Sequence, residues 1–215
     1  MSKKTKCLDY YLDDLYPNFR CLSSSQVLGY AQSPSLFHEE YVMGVRRKES
    51  EAMFIGKIFS AMYEDRKFKW REAMRDRGVT NARIYRALED AINTFPEIPK
   101  KWCEYPLICE YRGWKFRATL DGYWNNKIDI ENKTGQVPWD QERADESVQI
   151  TFQYWVKWRK DGELFDECQV NWVDLRARSN QLVNTFTTHR TLDQVLAIER
   201  DIIDPVIDGV ELEAW

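Results

Sequence analysis

Two acidic residues and a lysine, Asp121, Glu131 and Lys133, occur within a stretch, Trp114–Lys133, that reads as two successive β-strands. Side chains alternate across a strand, so Glu131 and Lys133 project from one face, about 7 Å apart. Carboxylates of this kind can hold a divalent cation, which lowers the pKa of a bound water and neutralises phosphate charge. A nearby lysine can orient that water or stabilise developing negative charge. The three residue types therefore suit phosphodiester hydrolysis.

The apolar residues of the two strands predict how they pair. If both apolar rows pack on one side of the sheet, even-numbered residues oppose even-numbered ones and the loop has an odd number of residues. A three-residue loop, Asn125–Lys127, then places Asp121 opposite Glu131, with Cβ atoms about 5 Å apart. Like charges so placed destabilise a sheet unless a cation compensates them. On these residues alone, ordinary turn residues and a solvated strand face remain an alternative. The apolar rows are Trp114, Phe116, Ala118, Leu120 and Trp124 in the first strand and Ile128 and Ile130 in the second.

Further residues along the chain have the order and spacing of a known family. They are Leu22–Tyr30, Ser33-Pro34, Phe37, Tyr41, Gly56, Glu64, Leu120–Gly122, Ile130–Gly135 and Gln149. Over about residues 20 to 160 the sequence resembles the RecB-like branch of the PD-(D/E)XK nuclease superfamily. The resemblance implies an α/β fold with a restriction-endonuclease-like core, a mixed β-sheet flanked by α-helices, that hydrolyses DNA with Mg2+ or Mn2+.

The same resemblance assigns roles to individual residues. Asp121 and Glu131 would be metal ligands, Lys133 the catalytic lysine, and Gln149 a residue that positions the substrate or the lysine. Tyr154, with the neighbouring Trp155, lies where this branch has a tyrosine and aromatic residues, although the tyrosine is shifted by one position.

Two further acids are candidate metal ligands. The family often has a histidine where this chain has Ser60, whereas Glu64 is retained one helical turn later and could reach the metal directly or through water. A two-residue reversal at Arg112-Gly113 would place Glu104 across from Asp121 and Glu110 far from the metal, across from Lys115. For Glu104 an exposed edge carboxylate is an equally good interpretation.

The cysteines argue against a second kind of cofactor. Some RecB-like nucleases carry an iron–sulfur cluster, with one cysteine just before the proline that matches Pro34, and this chain has Ser33 there. None of its cysteines is paired at close spacing, so neither a cluster nor structural zinc is expected. They are interpreted as reduced thiols of a cytoplasmic protein. The cysteines are Cys7, Cys21, Cys103, Cys109 and Cys168.

Composition limits how the chain could meet DNA. It has 215 residues, of which 43% are hydrophobic, and a net charge of −4 from 31 basic and 35 acidic residues. Overall electrostatics would repel DNA, so contacts must be local. Basic residues interleaved with aromatics suit single-stranded or frayed DNA, and a solvated helix face is the alternative. The candidate contacts include Arg46, Arg47, Lys67, Lys69 and Tyr154. No membrane span or signal core is expected.

The order of elements predicts one domain over residues 1–215, with a helical part at about 20–95 and a sheet core at about 103–178. Predicted helices run from Ser23–Ser25 with a restart at Pro34, from Ser50 to Asp76, from Asn81 to Thr94, from Glu146 to Lys160 and from Leu192 to Ile203. A polar loop is expected at Gln136–Asp145, and a last strand at Cys168–Ala177.

The expected function is that of a Mg2+- or Mn2+-dependent deoxyribonuclease, an exonuclease of phage or bacterial recombination and repair. It would act in the cytoplasm of a bacterial or phage-infected cell on linear duplex or single-stranded ends. A homo-oligomer and a single-strand annealing partner are expected by analogy. An endonuclease or flap nuclease with the same site is the nearest alternative. A DNA-binding module that has lost catalysis is an alternative of another class, motivated by Ser60.

Overall fold

The computed structural model describes residues 21–45, 48–176 and 181–212. Within these ranges the strands form one mixed sheet of six. In chain order they are β1 (Cys21–Ser23), β2 (Cys103–Tyr111), β3 (Trp114–Trp124), β4 (Ile128–Gly135), β5 (Glu167–Asp174) and β6 (Val183–Thr188).

Helices cover both faces of the sheet. They are α1 (Ser24–Gln32), α2 (Pro34–Phe37), α3 (Glu51–Glu64), α4 (Trp70–Asp76), α5 (Ala82–Thr94), α6 (Gln141–Asp145), α7 (Val148–Asp161), α8 (Leu192–Ile198) and α9 (Asp204–Leu212). Side-chain oxygens cap the first turns of several of them, as at Ser50, Asn81 and Ser147, because the first amides of a helix lack partners within it. No helix of the described ranges is both long and apolar enough to cross a bilayer.

Strand β3 is the longest strand and organises the sheet. One of its edges pairs antiparallel with β2, from Trp114 to Gly122. The other edge is shared: β1 pairs with it in parallel at positions 115–117, and β4 pairs antiparallel at 122–124. Since each strand has only two edges, residues 118–121 of this shared edge lie in a gap between β1 and β4. No strand of the described chain fills that gap.

Two apolar cores lie on opposite faces of the sheet. Strand β5 shows the separation, because Cys168 and Val170 belong to the core under α7, whereas Val173 and Leu175 belong to the core under α3 and α5. Burial of such side chains stabilises the fold by about 25 cal/mol per Å2 of apolar surface removed from water.

The packing corrects one premise of the hairpin prediction. The predicted three-residue loop is confirmed, since Trp124 pairs with Ile128. The prediction that both apolar rows face one side is wrong, because Leu120 belongs to the α7 core and Ile130 to the opposite core. The rows change face at Gly122, where an added Cβ would lie 2.5 Å from Ile98 Cδ1 and 3.2 Å from Ile130 Cβ.

The helix predicted from Ser50 to Asp76 is also corrected. It is two helices, α3 and α4, because the chain turns extended at Asp65, whose φ is −140°. The Arg66 guanidinium reaches back to α5 and donates to the carbonyls of Ile92 at 2.7 Å and Phe95 at 3.1 Å. A contact between residues so distant in sequence leaves no trace in local periodicity.

The remaining elements agree with the predicted ones, except that β1, α6, β6 and α9 were not predicted. Ser23 caps α1, Pro34 begins α2, and Gly162 ends α7 with a φ of 75°. The predicted polar loop contains the short helix α6, and β6 was not anticipated. The predicted strand at Cys168–Ala177 is β5, which ends at Asp174; Ala177 lies outside the described residues, as do Met1–Arg20.

Candidate active site

Asp121 lies in the gap on the edge of β3. The register of the two strands places it across from Glu131, one step beyond the last pair, Gly122 with Ile130. There the strands separate, and β4 continues alongside β5 only. The backbone amide of Asn132 therefore has no β3 carbonyl as a hydrogen-bond acceptor, and it donates instead to Asp121 Oδ2 at 2.6 Å. The Asp121 carboxylate thus accepts the hydrogen bond that a backbone carbonyl of β3 would accept if the two strands were still paired.

Glu131 and Lys133 face α7 from β4. Lys133 Nζ lies 2.5 Å from Glu131 Oε1, and the Glu131 side chain is only 4% exposed. Gln149, in the first turn of α7, links the two residues: it accepts from Lys133 Nζ at 2.8 Å and donates to Glu131 Oε1 at 2.8 Å. The structure therefore brings together Asp121, Glu131, Lys133 and Gln149, the four predicted catalytic residues.

The charged side chains at this point shift one another's pKa values. Burial and the charge of Glu131 raise the pKa of Asp121 well above its usual value, against the amide of Asn132 and the charge of Lys133, which lower it. For Lys133, burial lowers the pKa, but attraction and hydrogen bonding to Glu131 outweigh it and leave the pKa raised. Lys133 is consequently an ammonium ion at neutral pH, and burial and the charge of Glu131 act together against ionisation of Asp121.

Gln153 is a contact that the sequence analysis missed. It lies one turn after Gln149 and donates its amide to Glu131 Oε2 at 2.6 Å, so glutamines hold both oxygens of that carboxylate. The spacing of four residues, which places side chains on one helix face, is the signal that could have identified it.

Glu64 and Glu104 do not complete a metal cluster. Glu64 is ion-paired with Lys100 at 3.7 Å. Glu104 falls at the predicted register position across from Asp121, between the pairs Cys103–Gly122 and Tyr105–Leu120, but it is exposed and has a φ of 48°. Within the described ranges, no group of three or more His, Cys, Asp or Glu side chains could hold a metal ion. Both residues remain close enough to raise the pKa of Cys103, which burial mainly raises, to about 11.

Gly56 has a packing role beside the site. A Cβ added there would lie 3.3 Å from Thr134 Oγ1, which is tight contact. Helix α3 therefore approaches β4 next to Lys133 through a residue without a side chain.

The predicted DNA contact of Tyr154 is wrong. Its side chain is fully buried, its ring packs edge-on against Phe165, and its hydroxyl donates to the carbonyl of Thr188 at 3.4 Å. The ring is part of the core and cannot stack with a base.

The basic candidates on the surface differ from Tyr154. Lys67 and Lys69 are exposed and, with Phe68, Trp70 and Arg71, line a concave surface. Arg71 lies over the Trp70 ring, 4.5 Å from its centroid. Arg46 and Arg47 lie outside the described residues.

A second buried acid lies next to Glu131. Asp129 is 0% exposed, and neither of its carboxylate oxygens has a hydrogen-bond partner within the described chain. Burial, followed by the charge of Glu131, raises its pKa well above the usual value, although the Cys168 thiol beside it acts in the opposite direction. The sequence marked Asp129 only as a polar strand residue.

Comparison with known proteins adds evidence on the fold. No protein-family model matches the sequence, and no curated protein matches it. A candidate exonuclease from Eubacterium rectale superposes with a TM-score of 0.64 at 11% identity, over 96% of this chain and 85% of that one. This chain has the restriction-endonuclease-like fold. The expected mixed sheet flanked by helices is therefore confirmed.

Other similar structures superpose less closely. The alkaline exonuclease LHK-Exo from Laribacter hongkongensis gives a TM-score of 0.48 at 14% identity, over 91% of this chain and 90% of that one. LHK-Exo in complex with dAMP gives 0.49 at 14% identity, over 89% and 88%.

Proposed function

We propose that the protein is a Mg2+- or Mn2+-dependent deoxyribonuclease that acts as an exonuclease. The observation that supports this most directly is the position of Asp121, Glu131 and Lys133 where β3 and β4 separate. The fold shared with a candidate exonuclease supports it independently.

The carboxylates fit a hard divalent cation. Mg2+ and Mn2+ prefer oxygen ligands, and Mg2+ is usually held by one or two carboxylates, with waters and substrate phosphates completing the shell. Asp121 and Glu131 would supply the carboxylates; burial, followed by the charge of Glu131, raises the pKa of Asp121, and a cation would offset both effects. The bound metal would lower the pKa of a water and neutralise phosphate charge. Glu64, directly or through water, and Glu104 remain proposed further ligands.

Lys133 would act as a fixed positive charge. Its Nζ is held against Glu131 Oε1 and Gln149 Oε1, and lysine side chains ordinarily carry a proton at neutral pH. Lys133 would orient the attacking water or stabilise the phosphate charge that develops in the transition state. Attack of water on the phosphorus would break the P–O3′ bond, so the products would carry a 5′-phosphate and a 3′-hydroxyl. Gln149 holds Lys133 and Glu131 in one arrangement through the hydrogen bonds described above.

The basic segment between positions 66 and 77 would bind the DNA. It carries six basic and two acidic residues in a chain of net charge −4. Lys67 and Lys69 project into solvent, where they can meet phosphates, and the half-buried rings of Phe68 and Trp70 line the same surface. Reversing both lysine charges should weaken binding of linear DNA and reduce its salt dependence, with little change in kcat.

The biological setting is proposed by analogy. End-directed digestion would belong to recombination or repair in the cytoplasm of a bacterial or phage-infected cell. A homo-oligomer would favour processive digestion, and a single-strand annealing protein would receive the product.

One rival function has an observation in its favour. The described residues contain no set of three metal-binding side chains, and Ser60 stands where the family often has a histidine. Both would fit a DNA-binding module that has lost catalysis.

Digestion of DNA separates these functions. A linear duplex labelled at either end and a closed circular plasmid are incubated with Mn2+ or Mg2+ and either the wild type or Lys133→Ala. An exonuclease degrades only the linear DNA, and Lys133→Ala abolishes the activity; the label gives the polarity. Nicking of the circle would indicate an endonuclease. Binding without cleavage would contradict the proposal and favour the inactive module.

A further inference from the structure

Gln153 belongs to the most deeply buried part of α7. Its neighbours Phe152, Tyr154, Trp155 and Val156 are fully buried, and Gln153 itself is 1% exposed. A buried amide is costly unless it is hydrogen-bonded. A glutamine here therefore requires a specific partner.

That partner is the carboxylate of Glu131. Gln153 Nε2 donates to Glu131 Oε2 at 2.6 Å, while Gln153 Oε1 is buried without a hydrogen-bond partner in the described ranges. The reverse orientation of the amide would point Oε1 at a carboxylate and repel it. The amide direction is thus set by Glu131, and the hydrogen bond to a charged group is of the strong kind.

Gln149 and Gln153 divide the carboxylate between them. Gln149 and Lys133 occupy Oε1, so Gln153 alone in α7 reaches Oε2 in the described structure. Each carboxylate oxygen has further lone-pair capacity. With both oxygens held by hydrogen bonds, the plane of the Glu131 carboxylate is fixed, and so is the direction of its remaining lone pairs.

We propose that Gln153 is a positioning residue that fixes the Glu131 carboxylate for the metal ion. The inference rests on the proposed metal-dependent function and deepens it. Partners of this kind orient a ligand before the metal arrives, and their loss commonly lowers metal affinity or activity by about 10–100-fold.

Gln153→Met tests the proposal, because methionine keeps the length of the side chain and removes the donor. Gln169→Met is the matched control, since Gln169 Nε2 donates to Glu167 at 2.7 Å outside the site. Mn2+ binding is measured by calorimetry on the metal-free proteins, alongside thermal midpoints and DNA cleavage at increasing Mn2+. Gln153→Leu is carried in parallel in case Gln153→Met fails to fold.

We expect Gln153→Met to bind Mn2+ about 10–100-fold more weakly than the wild type and to recover DNA cleavage at high Mn2+. Gln169→Met should match the wild type, and Lys133→Ala should stay inactive at every Mn2+ concentration. Such recovery would not follow from a purely structural role.

Unchanged Mn2+ affinity in folded Gln153→Met or Gln153→Leu, with a wild type whose cleavage depends on Lys133, would overturn this inference alone. A wild type that neither binds Mn2+ nor cleaves DNA would overturn it together with the proposed function.

Discussion

The two hairpins that share β3 differ in how far their strands stay paired. The β2–β3 hairpin is paired from Tyr111–Trp114 to Cys103–Gly122 and turns at Arg112-Gly113 with positive φ at both residues. The β3–β4 hairpin pairs only residues 122–124 with 128–130 before its strands separate. Backbone groups released at a separation need other partners, and there Asp121 accepts from Asn132. The candidate site therefore lies where the pairing of β3 with β4 stops.

Each hairpin also carries a lysine beside a glutamate, in contrasting surroundings. Lys115 and Glu110 are cross-strand neighbours 3.8 Å apart, with side chains 61% and 74% exposed. Lys133 and Glu131 are 2.5 Å apart and 22% and 4% exposed. Only the second pair is desolvated enough for its electrostatics to act strongly on a substrate.

The largest expected effect separates these two lysines. Lys133→Ala should lower kcat for DNA cleavage by at least about 100–1,000-fold, because a charge aimed at the transition state is lost. Lys115→Ala should leave kcat unchanged. Steady-state cleavage of labelled linear DNA measures both, and equal losses would show that the separation of the strands has no special role.

Gly122→Ala tests the point where the strands change face. Its Cβ would meet Ile98 and Ile130 at 2.5 and 3.2 Å, so we expect the free energy of unfolding to fall by about 1–3 kcal/mol. Gly29→Ala is the control, since its Cβ would reach only Tyr41 at 4.0 Å. Urea unfolding compares them, and an unaffected Gly122→Ala would mean that the approach is not tight.

Asp129→Asn tests the buried acid in the β3–β4 hairpin. The raised pKa of Asp129 means that the folded state keeps a proton which the unfolded state releases above about pH 4. The stability of the wild type therefore falls as the pH rises from the pKa of Asp129 in the unfolded state to its pKa in the folded state. The asparagine side chain does not titrate, so the variant should be more stable than the wild type by about 1–3 kcal/mol at pH 8.

The advantage of Asp129→Asn should shrink toward pH 4. Urea unfolding at both pH values in metal-free buffer provides the measurement. A variant less stable than the wild type at pH 8 would show that the Asp129 carboxylate is charged and compensated in the fold.

The smallest effect on stability and cleavage is expected for a substitution in the β2–β3 hairpin. Glu110→Gln removes an exposed ion pair and should change the free energy of unfolding by less than about 1 kcal/mol. Cleavage should be unaltered at every salt concentration. A large loss of either quantity would remove the contrast between the hairpins.

Local signals predicted much of the hairpin and the site. The parity of the strands gave the three-residue loop and the position of Asp121 across from Glu131, and the turn at Arg112-Gly113 gave the position of Glu104. The predicted register is observed, although the apolar rows of the two strands do not share one face as the prediction assumed. Parity fixes only that even-numbered residues pair with even-numbered ones, and the short loop then fixes the register. The change of face occurs at Gly122, where Ile98 and Ile130 leave no room for a side chain.

Other features depend on contacts between distant parts of the chain. Arg66, in the break between α3 and α4, donates hydrogen bonds to the carbonyls of Ile92 and Phe95 at the end of α5. The burial of Tyr154 depends on Phe165 and Thr188. Strand β6, with its Val and Thr residues, did carry a local signal of β-structure.

A crystal soaked in Mn2+ and measured at the manganese absorption edge tests the central claim most directly. We expect an anomalous peak about 2.0–2.2 Å from carboxylate oxygens of Asp121 and Glu131, where β3 and β4 separate. The peak should be absent in Asp121→Asn and present in Glu110→Gln. A peak elsewhere, or none in the wild type at saturating Mn2+, would contradict the assignment of this gap as a metal-dependent nuclease site.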